Sequence, residues 1–390
     1  MNKKAKVAVV AGTRPEVIKM APVYRELKKS PVLDVEFIST AQHRQMLDQA
    51  MSIFGISADF DMDAMRPGQS LNSLMSRLMA SWDEYFSARR PDAVLVQGDT
   101  TTVLATAIAA FHAGVKIGHV EAGLRTFNMR SPFPEEMNRR LCDPLADWCF
   151  APTKSNWDNL AREGIPAEKR FVTGNTVIDS LLWMRGKLRS DGVSASGVAA
   201  RCSIPEDFSK KYLEGGAPWI LVTGHRRENF GKGFENLCLA LGTLSEKYPD
   251  AGILYPVHLN PNVQEPVRRL LSGRARIALI PPVGYEDFIW LMDRCAFAIS
   301  DSGGVQEEAP SLGKPVIVTR DSTERPEGVE AGTCVLAGTD PEKIVSEASV
   351  LLSDPAEYAR RSSLKNPYGD GRAAEKIREI LEKSPCLRTL

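Results

Sequence analysis

The sequence has no surplus of charge, no CxxC pair and no apolar run approaching the roughly 20 residues that cross a bilayer. Lys+Arg and Asp+Glu each total 49. No long-range field therefore draws the chain to nucleic acid or to an anionic membrane, and any anion site must be local. The seven cysteines (Cys142, Cys149, Cys202, Cys238, Cys295, Cys334 and Cys386) are scattered, several inside apolar runs. They read as reduced thiols packed as small hydrophobes, which suits the cytoplasm. Histidine is scarce, at five residues, and no HExxH or close His/Cys set occurs, so no metal is expected. No GxSxG elbow is present, which argues against a serine hydrolase. The N-terminal "MNKKAKVAVVAGTRPE" is basic and then apolar for only a few residues, so it reads as a first strand and not as a signal peptide.

What is present is a repeated alternation. With 390 residues and 43% apolar content the chain can fill two cores. Short β-rich runs at 7–12, 35–40, 93–99, 116–122, 148–153 and 170–176 alternate with helical segments. After a lapse the alternation restarts at 219–224, 252–258, 276–282, 297–302, 315–320 and 333–338. This order predicts an α/β chain with two parallel sheets. The expected domains are 1–187 and 219–369, with the Ser-, Gly- and charge-rich stretch 188–218 as linker. The amphipathic helix in 371–384 can pack on either domain, and the segment 370–390 is assigned to the first. Ligands bind beyond the carboxyl ends of such strands, so two sheets with facing edges predict a central cleft.

The residues at those strand ends carry the candidate chemistry. In "AISDSGGVQEEAPSLGKPVIV" a strand runs into Ser302, Gly303 and Gly304 at a helix start, where amide N–H groups suit a phosphate. Glu308 lies four residues past Gly304, about 6 Å along a helix, within reach of a ribose whose phosphate sits on the cradle. The plainer alternative makes Glu307 and Glu308 first-turn carboxylates complementing the helix dipole. "AGTRPEVIK" is neither GxGxxG nor a P-loop, but Arg14 and Lys19 can present cations to a diphosphate, or simply sit solvated on an exposed first turn. Asp99 in "QGDTTT" and Glu121 in "HVEAGLRT" end consecutive strands, and "SPFPEE" puts Glu135 and Glu136 at a helix start. Convergent carboxylates repel, which raises some of their pKa values and suits proton transfer. Alternatively Asp99 caps a helix and Glu135 serves its dipole. His225 and His258 end strands of the second sheet, whereas His112 and His119 read as packing residues.

Eleven stretches in order, from "AGTRPEVIKMAP" through "TAQHRQMLDQ", "QGDTTT", "GHVEAGLRT", "SPFPEEMNRR", "TGHRRENFG" and "SDSGGVQEEAPSLGKPV" to "NPYGDGRA", resemble the non-hydrolysing UDP-N-acetylglucosamine 2-epimerases from about residue 5 to 375. The resemblance implies a GT-B-like architecture, two Rossmann-like domains with parallel sheets facing a central cleft, and a homodimer. It implies interconversion of UDP-GlcNAc and UDP-ManNAc without a cofactor, by elimination of UDP to 2-acetamidoglucal and re-addition. Carried over by motif, Asp99, Glu121 and Glu135 are acid/base carboxylates and His225 assists phosphate departure. Arg14 and Lys19 hold phosphate or substrate, Ser302, Gly303 and Gly304 the diphosphate, Glu308 the ribose, and Phe288 borders the uracil. A second UDP-GlcNAc, an activator, would touch Gln42, His43, Gln45, Glu136, Arg226 and His258. Where some members carry Arg at that site, this chain has Gly68, with Arg66 two residues away. The rival readings are a hydrolysing 2-epimerase releasing ManNAc, a glycosyltransferase of the same fold, and a non-catalytic nucleotide-sugar sensor.

Overall fold

The structure, a computed structural model, describes residues 4–40, 44–66 and 68–388. The chain divides into two compact units, one of residues 1–180 with 368–390 and the other of residues 181–367.

The first unit is built on a parallel sheet of β1 (Ala5–Ala11), β2 (Leu33–Ser39), β3 (Phe60–Asp61), β4 (Ala93–Gln97), β5 (Lys116–Val120), β6 (Trp148–Ala151) and β7 (Arg170–Val172), in the order β3-β2-β1-β4-β5-β6-β7. Its central strands are almost wholly buried, because helices cover both faces of a parallel sheet and leave no polar side. The helices that shape the site are α1 (Arg14–Leu27), α2 (Arg44–Phe54), α3 (Leu71–Ala88), α4 (Thr101–Ala113) and α5 (Glu135–Cys142). Thr13 caps α1 in a capping box with Glu16, and Pro15 occupies the second helical position. Trp82, Tyr85 and Phe86 of α3 are the buried aromatic residues of one core cluster of this unit.

The second unit holds β8 (Trp219–Thr223), β9 (Gly252–Pro256), β10 (Ile277–Ile280), β11 (Phe297–Ser300), β12 (Val316–Val318) and β13 (Cys334–Leu336), all parallel in the order β10-β9-β8-β11-β12-β13. The stretch expected as a linker is folded into this unit. Ser194 caps the helix Ala195–Arg201, Arg201 pairs with Asp287, and the Trp290 indole donates to Val193 O. Gly252 leaves room for Phe208 and Tyr212, whose ring atoms lie 2.9 and 3.0 Å from where a Cβ would stand. The division accordingly falls at Ser180/Leu181.

The final helix, Ala373–Lys383, belongs to the first unit. Ala373, Ala374, Ile377 and Leu381 are buried, and the helix packs on α1. Its start is held by Asp179, which accepts from the amides of Ala373 and Ala374 at 3.2 and 2.9 Å. All six described-residue cysteines from Cys142 to Cys334 are buried and free, and Cys386 is exposed. Among the described residues no helix is long and apolar enough to cross a membrane.

Candidate active site

Each sheet has a point where strand order reverses, and there the loops diverge and leave a crevice. In the first unit this point lies between β1 and β4. The loop after β1 carries Gly12 and Thr13, with Arg14 opening α1, and the loop after β4 carries Gly98, Asp99 and Thr100. Buried Glu16 joins them. Its Oε2 accepts from the amides of Gly12 and Thr13, both at 2.7 Å, and its Oε1 accepts from Thr100 Oγ1 at 2.6 Å. Burial pushes the Glu16 carboxyl up despite these donors. Gly12 is required by space, since a Cβ would stand 2.2 Å from Thr40 Oγ1. Arg14 is exposed at the start of α1.

The expected carboxylates gather at this edge. Asn138 Nδ2 of α5 donates to Asp99 O at 2.8 Å, and Arg139 Nε lies 3.6 Å from Asp99 Oδ2. Glu135 opens that same helix. Glu121, just past β5, has a left-handed backbone (φ 67°), a strained conformation for a residue with a side chain. Its carboxylate pairs with Lys19, so Lys19 is engaged by a catalytic candidate. The carboxylates are thus interleaved with cations, where the sequence suggested mutual repulsion.

Glu136 departs from its expected place among activator contacts. It is fully buried, and its oxygens accept from the amides of Phe127 and Thr126 at 2.9 and 3.0 Å, with Arg139 3.2 Å away. It anchors the loop ahead of α5 and has no surface to offer a ligand. Gln42 and His43 lie outside the described residues, and of Gln45 only the backbone, within α2, is described. Gly68 has φ 68°, a turn conformation that arginine would adopt only with strain. Arg66 turns back on Asp63, 3.6 Å away. His112, expected to pack, is exposed and lines a groove of about 510 Å³ with Met79, Asp83, Phe86 and Arg90, away from the carboxylates.

In the second unit the order reverses between β8 and β11. His225 follows β8 and Asp301 follows β11, and they meet. Asp301 Oδ2 accepts from the amides of His225 and Arg226 at 2.9 and 2.8 Å, while Oδ1 faces His225 Nδ1 at 3.2 Å. Burial alone would raise the Asp301 carboxyl, but the His225 side chain and the Arg226 amide hold it below its usual range. The His225 ring stacks beside that of His258, centroids 5.9 Å apart.

Ser302 precedes the short helix Gly303–Glu308. The two glutamates of that helix have separate tasks. Glu307 Oε1 accepts from Arg325 Nε at 2.6 Å, and the Arg325 guanidinium lies across Gly303, with Cζ 2.4 Å from where a Cβ would be. Glu308 turns the other way, toward Tyr285 Oη at 3.5 Å. Phe288 lies on the helix that Tyr285 begins, Tyr285–Arg294. Among the described residues no group of three or more His, Cys, Asp and Glu side chains is placed to hold a metal ion.

Four residues at these edges were not singled out as site residues in the sequence: His119, Arg139, Asp301 and Arg325. Arg139 had a signal, being one turn past Glu135 in "EEMNRR". Asp301 had none that spacing could show, because its partner His225 follows a strand 76 positions earlier, and Arg325 meets Glu307 of a helix 18 positions earlier.

A family model described as UDP-N-acetylglucosamine 2-epimerase matches residues 25–382. The UDP-N-acetylglucosamine 2-epimerase of Escherichia coli (strain K12) is 48% identical over 379 residues, covering 97% of this chain and 99% of that protein. Among solved structures, the UDP-GlcNAc 2-epimerase from Neisseria meningitidis bound to UDP-GlcNAc is similar at 45% identity and TM-score 0.87, with 97% of this chain and 100% of that chain covered. The Methanocaldococcus jannaschii UDP-GlcNAc 2-epimerase in complex with UDP-GlcNAc and UDP is similar at 32% identity and TM-score 0.76, with the same coverage. Two Rossmann-like units of the GT-B-like class, a family model spanning most of the length and a relative nearly half identical from end to end lead to one conclusion: the chain belongs to the UDP-N-acetylglucosamine 2-epimerase family.

Proposed function

We propose that the chain interconverts UDP-GlcNAc and UDP-ManNAc without hydrolysing either, by anti elimination of UDP and re-addition through 2-acetamidoglucal. The observation that carries this reading is the gathering of Asp99, Glu121 and the start of α5 at one sheet edge, with Lys19 and Arg139 among them. The C2 proton is weakly acidic and the leaving diphosphate gathers charge. Such a reaction needs carboxylates at the sugar and donors at the phosphates.

In this reading one carboxylate of Asp99, Glu121 and Glu135 takes the C2 proton. The C–H electron pair becomes the C1=C2 double bond, and the C1–O bond breaks with its pair on UDP. A second of these groups, present as the neutral carboxylic acid, then gives its proton to C2 from the opposite face and is left as the carboxylate, while a UDP oxygen rejoins C1. His225, oriented by Asp301, donates to the departing phosphate. Arg14 and the loop Ser302–Gly304 bind the diphosphate, Glu308 the ribose, and Phe288 borders the uracil. Lys19 orients Glu121. The reading includes a homodimer in the cytoplasm and a second UDP-GlcNAc acting as activator, with Arg226 and His258 as its contacts in the second unit.

Proton NMR of UDP-GlcNAc with the enzyme in heavy water tests the proposal. UDP-ManNAc should appear with deuterium at C2, because the proton removed is not the one returned. Full retention of hydrogen would sink the elimination route, and release of free ManNAc would assign the chain to the hydrolysing branch.

A further inference from the structure

We propose that His119 is a positioning residue: a buried imidazolium that donates from both ring nitrogens and thereby holds the Asp99 and Glu121 loops in register. The inference rests on the carboxylate roles proposed above. His119 is fully buried in β5, between Val96 of β4 and Cys149 of β6. Its Nε2 lies 2.7 Å from Gly98 O, the carbonyl immediately before Asp99. A carbonyl oxygen only accepts, so Nε2 carries a proton.

The other nitrogen, Nδ1, lies 2.6 Å from Asp143 Oδ1. The partner oxygen Oδ2 takes Arg125 Nη2 and, at 3.3 Å, the amide of Gly123. An arginine and a peptide N–H can only donate, and the Arg125 charge beside Oδ2 favours the ionised carboxylate, so Asp143 accepts at Oδ1 as well and Nδ1 is protonated too. The ring is a cation between two acceptors. The titratable and charged groups around it are Asp143, Cys142, Cys149 and Arg125, with Glu163 pairing Arg125 from the far side. Burial opposes the cation, but Cys142 and Asp143 outweigh it and lift the ring well above the usual histidine range. Asp143 is held low by His119 and Arg125 against its own burial.

The geometry gives the cation a task. Through Gly98 O it fixes the turn that presents Asp99. Through Asp143 it fixes Gly123, two residues past Glu121. Gly123 O is gripped in turn by Asn159 Nδ2 at 3.1 Å. The strained Glu121 backbone therefore stands in a segment tied down on its C-terminal side, while His119 itself lies two residues before it.

The test uses the full-length enzyme with ¹⁵N-labelled histidine, resonances being assigned with H119Q. One imidazole should show two protonated nitrogens at neutral pH. A neutral His119 tautomer at neutral pH would overturn the proposal, and this measurement on the wild type decides it even where variants fold poorly. Kinetics supply a second readout. H119Q keeps a donor but loses ring volume, while H119F keeps volume and loses both donors. A positioning role predicts that kcat falls about 10- to 100-fold in H119Q and further in H119F, with UDP affinity unchanged in both. A milder loss in H119F than in H119Q would mean that the ring only packs, and wild-type kcat in folded H119Q would mean that the imidazolium does not hold the loops. E121Q in the same assay separates the two levels: if E121Q retains full kcat, the carboxylate reading fails regardless of His119.

Discussion

Gly303 is the residue with least room to change in the second unit. A methyl group there must displace the Arg325 guanidinium, which is paired with both Glu307 and Glu324. G303A should cost about 1–3 kcal/mol, as overpacked sites do, and should weaken UDP binding; urea unfolding and UDP titration would check both. Unchanged stability would mean that the guanidinium moves aside freely. At the other edge, E121Q and E135Q should lower kcat far more than UDP affinity, because these groups act on the sugar. Glu308→Ala should do the reverse. Equal losses of UDP affinity in all three variants would make the carboxylates structural.

At the scale of elements, Asp179 ties the helix Thr176–Ser190 to the final helix of the first unit. Burial pushes its carboxyl up to about 6, even though the amides of Ala374 and Ala373 favour the charged form. The folded pKa thus exceeds the unfolded one, about 3.9. The stability it contributes is full below that lower value and is lost as pH rises through about 6. D179N has no such step. Wild-type stability relative to D179N should therefore decline between about pH 4 and 7, by at most roughly 3 kcal/mol. Parallel unfolding curves at several pH values would measure it, and a flat difference would contradict it.

Elements also show what was readable in the sequence. Strands buried on both faces, such as β1 and β4, leave contiguous apolar runs that are easily visible; β3, only Phe60 and Asp61, offers no run to see. The stretch 188–218 looked like a linker because Ser, Gly and charge mark turns. Here Ser194 is a helix cap and the charges are ion-pair partners such as Arg201 with Asp287. At the site, Asp99, Glu121 and Glu135 were legible because they end strands or start a helix. The partners of Glu136, the amides of Thr126 and Phe127, are backbone groups without a side-chain signature, so its burial was not legible. His119 was legible only as a buried strand residue, since Asp143 reaches it from 24 positions away.

For the whole molecule, the first unit depends on a segment far along the chain. Removing 368–390 would uncover the face of α1 that Ala373, Ala374, Ile377 and Leu381 cover, and would leave Asp179 and the Asn175 amide without those partners. The deletion should cost the first unit on the order of 5 kcal/mol from the apolar side chains alone, visible as an early thermal transition. An unchanged melting curve would refute this. Regulation belongs at the same scale. UDP-ManNAc alone should react slowly, and a trace of UDP-GlcNAc should accelerate it; equal rates would remove the activator from the proposed function.

The discontinuity of the first unit also orders events during synthesis. A ribosome reading from the N-terminus makes seven strands of a sheet and then must build all of residues 181–367 before the last piece of that sheet's own unit emerges. The second unit has its whole sequence synthesised before the first does, although it begins later. The nascent chain therefore spends about half its elongation with the α1 face open. A chaperone that binds exposed apolar helix surfaces would find its substrate there, and a message truncated just before Tyr368 would yield a chain that never escapes that surveillance.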